Sequence, residues 1–357
     1  MTLTSLCLRR WTPLALSLLL ATAPAAAASM FKQRNLVSDG AIPAAHIDHN
    51  LVNAWGVAFN PYGYAWVANN GTGTATLYDG DGNRETLVVQ IPSPTMSLGG
   101  TPTGTVYNGS SGFVVSRGGV SGPARFLFAT EDGVIAAWAP NVDATHALRM
   151  VNRSATGTVY KGLTLSANGH GTLMYASDFH HGRVDVFDAS FHAVAMPTGA
   201  FTDPSVPSGF APFGIQAIGG DVYVTYAKQD AAKHDDVKGP GLGYVDVYTP
   251  NGRLIRRVAS RGVLNAPWGL ALAPAGFGGY GNQLLVGNFG DGHINAFSGT
   301  ASLGPLRDTY GMPIHIDGLW GIAFGNGYEN QPVDTLFFAA GPVGESHGLY
   351  GRLDTAY

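Results

Sequence analysis

The sequence predicts an all-β protein, a single six-bladed β-propeller with about four antiparallel strands per blade, closed by an N-terminal strand. Two landmarks recur in phase along the chain, about fifty residues apart, as propeller blades do. The first is a glycine within a short alternating apolar segment, found at Gly56, Gly104, Gly162, Gly214, Gly269 and Gly321. The second is a glycine followed five residues later by a large apolar residue, namely Tyr78, Trp138, Phe187, Tyr248, Phe297 and Leu353.

The first landmark lies in the predicted innermost strand of each blade. In residues 54–59 (AWGVAF), 267–272 (PWGLAL) and 319–324 (LWGIAF), the glycine follows a tryptophan. We expect this glycine to permit close approach of neighbouring backbones at the crowded axis. We expect the large residue of the second landmark to pack between adjacent blades. One twisted sheet cannot bury both of its faces, and a ring of sheets can.

The last repeat supplies three strands before the chain ends, so a fourth must come from elsewhere. Residues 34–38 (RNLVS) precede the first landmark and resemble the outer strands of other repeats. We predict that they form the outer strand of the last blade, which removes the open edge and closes the ring. Two long excursions, 92–101 and 226–243, interrupt the pattern as loops and do not divide the 29–357 propeller domain.

Residues 1–28 have the order of a secretory signal peptide: Arg9 and Arg10, then an apolar run from Leu14, then alanine-rich sequence. We therefore expect an exported protein, periplasmic or extracellular, with no membrane span in the mature chain. Its single cysteine, Cys7, lies in this segment, so the mature chain has no disulfide. Removing the segment leaves 18 basic residues against 24 acidic ones, which excludes a basic nucleic-acid surface.

One face of the propeller, here called the top face, collects the candidate functional residues. Since strands alternate in direction, the start of each innermost strand and the turn between the second and third strands emerge on the same face. The residues predicted to line the channel mouth and bind a ligand are Trp55, Lys161, Phe213, Trp268 and Trp320. The turns on this face add a polar set that includes Asn69, Asn70, Glu131, Asp178, residues 234–236, Asn288 and Glu345.

A second hypothesis assigns a metal site to four of these turn residues. Asn69, Glu131, Asp178 and Asn288 carry hard oxygen ligands of the type that calcium prefers. If they converge on one ion beside an acid or a base, the protein would be a calcium-dependent, lactonase-like hydrolase. The alternative is structural, because Asn and Asp commonly hold turns through side-chain to backbone bonds, and Trp and Phe commonly pack between blades.

The motifs NLVNAWGVAF, WVANNGTGTATLYDGDG, LLVGNFGDG and GLWGIAFGNG span the chain. With them the sequence resembles a family of uncharacterised exported bacterial β-propellers, some of which carry a C-terminal PEP-CTERM sorting tail. This chain ends without that motif. More distantly the repeats look like NHL-type repeats, a fold shared by binding modules and calcium-dependent lactonases. The resemblance implies the fold and no activity. We therefore expect a module that binds a small molecule or a protein on the top face, with the lactonase as the alternative.

Overall fold

The computed structural model describes residues 1–2 and 29–356, so most of the predicted signal peptide lies outside the described residues. The described chain forms six twisted antiparallel sheets arranged in a ring, which confirms the six-bladed β-propeller. In blades 1 to 5 the strands run in chain order from the axis to the rim, and in blade 6 the N-terminal strand lies outside the last three strands. In the described part of the chain no helix is long and apolar enough to cross a membrane.

The strands of the blades are given from the axis outward. Blade 1 contains Ala54–Phe59, Ala65–Asn69, Thr74–Tyr78 and Arg84–Gln90. Blade 2 contains Pro102–Tyr107, Phe126–Thr130, Val134–Trp138 and Leu148–Asn152. Blade 3 contains Tyr160–Ala167, Thr172–Asp178 and Arg183–Phe187. Blade 4 contains Phe210–Ile218, Asp221–Lys228, Gly243–Tyr248 and Leu254–Ser260. Blade 5 contains Pro267–Leu272, Leu284–Asn288, Ile294–Ser298 and Ala301–Pro305. Blade 6 contains Leu319–Phe324, Leu336–Ala340, Leu349–Ala356 and Met30–Ser38.

The short strands His46–Ile47 and Arg307–Asp308 each pair in parallel with Met30–Ser38 at the rim of blade 6. Outside the six blade sheets lie a hairpin of Val114–Arg117 and Val120–Pro123, and the 3₁₀ helices Ser154–Thr156 and Gly278–Tyr280. The sequence did not predict the hairpin, which lies between the first two strands of blade 2. Its turn residues, Gly118 and Gly119, both have positive φ, as a tight hairpin requires.

The N-terminal strand closes the ring, as predicted. Met30–Ser38 pairs antiparallel with Leu349–Ala356, from Met30 opposite Ala356 to Ser38 opposite Leu349. Phe31 on this strand is fully buried and stacks on Phe277 of blade 5 at 4.6 Å between ring centroids. Both ends of the described chain therefore belong to one sheet. Without the N-terminal strand, the third strand of blade 6 would be an open edge.

Blade 3 lacks a regular fourth strand. Phe187 and Ala193 form one isolated β-bridge, and the chain from there to residue 209 has no regular strand. This stretch contains Pro197, Pro204 and Pro207. Proline has no backbone N–H to donate to a ladder, which accounts for the missing strand. In blade 4 the excursion between the second and third strands occupies residues 229–242, as the sequence predicts.

The core consists of six apolar wedges between neighbouring blades and one cluster on the axis. The large residue of the second landmark lies in each wedge; for example, Tyr248 packs with blade 3 and Phe297 with blade 4. The glycines of the first landmark allow the inner strands to touch. A Cβ on Gly214 would stand 2.0 Å from the Trp268 carbonyl oxygen, and one on Gly321 would stand 2.5 Å from that of Trp55. Both expectations from the sequence are confirmed.

Candidate functional site

Aromatic side chains close the axis at the top face. We call Trp55, Phe179, Phe213, Trp268, Phe289 and Trp320 the axial plug. Trp320 is its centre, stacked on Trp55 at 3.5 Å and on Phe289 at 3.7 Å between ring centroids. Trp268 meets both Trp55 and Trp320 edge to face. Trp55, Phe213, Trp268 and Trp320 come from the innermost strands of four blades, and Phe179 and Phe289 come from the turns after two second strands.

Lys161 lies buried beside this plug, with 2 % of its surface exposed. Its ammonium pairs with Glu131 of blade 2 and, at 3.1 Å, with Asp235 of the blade 4 excursion. It also lies 5.2 Å from the centroid of the Trp55 ring. Burial alone would lower the pKa of Lys161, but the two carboxylates reverse the effect and hold the pKa above its ordinary value. The side chain therefore remains a cation at the centre of the top face.

Polar side chains from neighbouring blades form a hydrogen-bonded chain around Lys161. Asn53 Nδ2 donates to Glu345 Oε2 at 3.0 Å and to Asn70 Oδ1 at 3.3 Å. Asn70 Nδ2 donates to Glu131 Oε2 at 2.7 Å. Trp320 Nε1 donates to Asn53 Oδ1, which ties the chain to the plug. We call Asn53, Asn70, Glu131, Lys161, Asp235, Asp236 and Glu345 the central cluster.

Asp236 is the member of this cluster with an unusual environment. Its Oδ2 is buried and has no hydrogen-bond partner among the described residues. Burial raises the pKa of Asp236 to about 6, although the positive charges of Lys161 and Lys238 oppose the rise. Burial likewise raises the pKa of Glu345, against the hydrogen bond from Asn53. Two carboxyl groups at this face are thus held in a medium that resists their charge.

The structure brings all five predicted ligand-binding residues together. Trp55, Lys161, Phe213 and Trp320 are each at most 2 % exposed, and Trp268 is half-buried. Trp268 Nε1 donates to the Lys161 carbonyl oxygen at 2.9 Å. These side chains fill the axis and do not line an open mouth. A ligand on this face would meet the polar cluster first, with the aromatic rings as its floor.

The four predicted metal ligands are not brought together as a set. Asn69, Asp178 and Asn288 occupy one equivalent position, opposite the start of the innermost strand in blades 1, 3 and 5. Each bonds within its own turn: Asn69 Nδ2 donates to Thr74 Oγ1, Asp178 Oδ2 pairs with His181 Nδ1, and Asn288 Nδ2 donates to Asp291 Oδ1. Glu131 stands one position further along and contacts Lys161.

The ends of the second strands explain this outcome. Asn69, Asp178 and Asn288 each end a strand, and the residue after this equivalent position lies in the turn, where it joins the axial plug or the central cluster. That next residue is Asn70 in blade 1, Glu131 in blade 2, Phe179 in blade 3 and Phe289 in blade 5. The sequence predicted Asn70, residues 234–236 and Glu345 on this face, but not as ligand-binding or metal-binding residues. It did not indicate Asn53, Lys238 or Phe289 as site residues, although Phe289 directly follows the predicted metal ligand Asn288.

A cation-binding geometry exists within the cluster, with different members. One ligand atom each from Glu131, His234 and Asp235 lies within 4.8 Å of the others. Two of the three, Glu131 and Asp235, already pair with the Lys161 ammonium. Oxygen ligands of this kind suit calcium in type. The ammonium would have to leave its position between them, because two cations would repel each other at this separation.

The opposite end of the axis is open. A cavity of about 410 Å³ enters there between the ends of the innermost strands. Its walls include Phe59, Tyr107, Gln216, Leu272 and Phe324. Above it the channel narrows past the glycines of the first landmark to the half-buried Trp268. The axial plug therefore separates a charged face from a largely apolar vestibule.

Comparison with solved structures agrees with this fold. The chain is similar to a streptogramin B lyase, with 11 % identity, a TM-score of 0.51, and coverage of 92 % of this chain and 98 % of that one. It is similar to a putative gluconolactonase, with 11 % identity, a TM-score of 0.53, and coverage of 91 % and 92 %. At this identity the likeness concerns the propeller fold alone. No protein-family model matches the sequence.

Two relatives are much closer in sequence, and both are uncharacterized proteins of Acanthamoeba polyphaga mimivirus. One is 35 % identical over 338 residues, which cover 92 % of this chain and 87 % of the relative. The other is 34 % identical over 339 residues, which cover 92 % and 82 %. The bacterial and PEP-CTERM associations expected from the motifs stay predictions. Since the match extends over nearly the whole of both proteins, this chain belongs to the same family as these uncharacterized viral proteins.

Proposed function

We propose that this propeller is a ligand-binding module whose site is the central cluster above the axial plug. The observation that supports this is the buried Lys161 of blade 3, which pairs with Glu131 and Asp235 within a cluster of polar side chains from blades 1, 2, 4 and 6. Loops at a propeller axis approach from every side, so a few residues from each blade surround one small ligand. The buried rings beneath exclude water from one side, which strengthens each polar contact made above them.

Glu131 is the residue through which the proposal is best tested. It joins the ion pair with Lys161 to the amide chain of Asn70, so it orders both halves of the cluster. Glu131→Gln keeps the shape and removes the charge. Glu329→Gln, on an exposed turn at the opposite face, is the matched control.

The measurement is a thermal-shift screen of small polar molecules followed by tryptophan fluorescence, since three tryptophans lie in the plug. A ligand that binds only the native state raises the melting temperature with concentration. We expect Glu131→Gln to reduce that shift and Glu329→Gln to preserve it. A ligand that shifts the melting temperature equally in wild type and Glu131→Gln, or that binds at the opposite face, would contradict the proposal.

The second candidate is a metal-dependent, lactonase-like hydrolase, favoured by the group of Glu131, His234 and Asp235. A metal ion there would polarise a carbonyl oxygen or activate water, and Asp236, with its raised pKa, would be the adjacent base. Metal analysis of the purified protein and calcium titration of its melting temperature test this candidate. A calcium-dependent shift that Glu131→Gln abolishes, with hydrolysis of a simple lactone, would support it. If neither result is obtained, the hydrolase candidate is excluded and the binding module remains.

We also propose that the mature protein begins near Ser29 and functions outside the cytoplasm. The support is the charged, apolar and alanine-rich order of residues 1–28. N-terminal sequencing of the secreted and periplasmic fractions tests it. Recovery of the intact chain in the cytosol would contradict it.

A further inference from the structure

We infer that the ligand of the central cluster is a small organic cation, whose ammonium or guanidinium group binds at Asp236 and Glu345 above the Phe289 ring, where the Lys238 ammonium lies. This inference rests on the proposed function and specifies its ligand class. Three observations support it: a lysine ammonium that lies over an aromatic ring, an excess of negative charge in the cluster, and a carboxylate oxygen without a hydrogen-bond partner.

The first observation is the position of Lys238. Its ammonium lies 3.8 Å from the centroid of the Phe289 ring, and Phe289 is itself stacked on Trp320. A cation over an aromatic face is attracted by the ring's quadrupole. Lys238 is an exposed residue of the 229–242 excursion, so this favourable position is filled from outside the blades. A ligand cation gains the same attraction by displacing it.

The second observation is the charge of the cluster. Four carboxyl groups belong to this cluster, those of Glu131, Asp235, Asp236 and Glu345; Glu131 acts electrostatically on Glu345 and Glu345 on Asp236, and Asp235 pairs with Lys161. The cations among them are Lys161 and Lys238. When all four carboxyls are ionised, negative charge exceeds positive charge by two. An anionic ligand would meet net repulsion, and a cationic ligand would offset it.

The third observation is the buried Oδ2 of Asp236, which accepts no hydrogen bond in the described structure. A buried acceptor without a donor is costly, and an ammonium or guanidinium supplies donors with charge. Lys161 shows the same combination nearby, because its ammonium lies over Trp55 and between two carboxylates.

The test is isothermal titration of the mature protein at low ionic strength with n-butylammonium, 1-butanol and butyrate. These probes share a chain and differ in charge. We expect n-butylammonium to bind and the other two to bind at least tenfold more weakly. Asp236→Asn should weaken n-butylammonium binding by about tenfold or more, the loss typical of a charge-assisted hydrogen bond. Glu345→Gln supplies the same readout if Asp236→Asn fails to fold.

Lys238→Met should strengthen n-butylammonium binding several-fold, because the competing cation is removed. Lys228→Met is the matched control, since Lys228 also lies over an aromatic ring, that of Phe210 at 5.6 Å. Preferential binding of butanol or butyrate, or no gain in Lys238→Met, would overturn the inference. In that case the proposed function still stands if Glu131→Gln abolishes the binding. Binding of none of the three probes overturns the cation inference, and the thermal-shift screen then decides the proposed function separately.

Discussion

The two ends of the propeller axis are built by the same six strands and have opposite characters. At the top face, where these strands begin, the axial plug closes the channel and supports a charged cluster around Lys161. At the opposite face, where they end, a cavity of about 410 Å³ remains open between apolar residues such as Phe59 and Leu272. A repeat therefore determines the walls of the channel. Individual residues in the turns decide which end carries the charged cluster.

The change with the largest expected effect opens the ring of blades, because both ends of the axis depend on a closed ring. Deletion of residues 31–39 removes the outer strand of blade 6 and leaves Leu349–Ala356 with an unpaired edge. It also removes Phe31 from the wedge between blades 5 and 6. We expect the cooperative unfolding transition to be lost, as measured by calorimetry and circular dichroism. Deletion of residues 1–28 alone is the control, and an unchanged melting temperature in the 31–39 deletion would refute the closure.

A substitution at each end tests whether the plug and the vestibule differ in their contribution to stability. Trp320→Ala removes the centre of the plug, and we expect unfolding free energy to fall by about 3–5 kcal/mol, as for other large buried aromatic residues. Leu272 is 49 % exposed at the opposite mouth, so Leu272→Ala should cost less than about 1 kcal/mol. Denaturant titration measures both. Equal losses would show that the two ends do not differ in packing.

A further effect, smaller than that of Trp320→Ala, concerns the charge of the top face and its dependence on pH. Asp236 has a pKa of about 6 when folded, against 3.8 as its ordinary value. Between these values the native state keeps a proton that the unfolded chain has lost, so this carboxyl lowers stability as pH rises from about 4 to about 6. Asp236→Asn should therefore be more stable than wild type at pH 7, by about 1–3 kcal/mol, and equal to it below pH 4.

Thermal unfolding across this pH range provides the measurement. Asp221→Asn, at a turn on the opposite face, is the matched control and should show no such pH-dependent difference. A stability difference between wild type and Asp236→Asn that stays constant from pH 4 to pH 7 would contradict the buried environment assigned to Asp236.

The fold was predictable because its determinants are local and repeated. A glycine such as Gly214 or Gly321 is required at each contact between inner strands, and a large apolar residue such as Tyr248 or Phe297 at each contact between blades. Both requirements recur in every blade, so both appear as a period in the sequence. The closing strand followed from a missing partner in the last repeat. The irregular outer part of blade 3 and the hairpin in blade 2 break the period. A periodic argument could not locate them.

The site was predictable to the level of a face and not to the level of a residue. Asn69, Asp178 and Asn288 have suitable chemistry, but each ends a strand and bonds within its own turn, whereas the next residues, Asn70, Phe179 and Phe289, join the central cluster or the axial plug. The exact end of each strand decides this difference of one residue, and residue type alone does not reveal it. The assignment of Lys161 as a ligand-binding residue stays a prediction; the structure places it beside the axial plug and buries it, which the sequence did not indicate.

By itself the sequence determined the number of blades, their closure and the face on which polar turns collect, because glycine spacing and apolar alternation are properties of neighbouring residues. Only the tertiary structure decided that the predicted aromatic residues form a buried plug, and that Asp235, Asp236 and Glu345 surround Lys161. Those contacts join residues up to hundreds of positions apart, such as Asn53 and Glu345. Their geometry depends on the closed ring, in which every blade sets the position of its neighbours around a common axis.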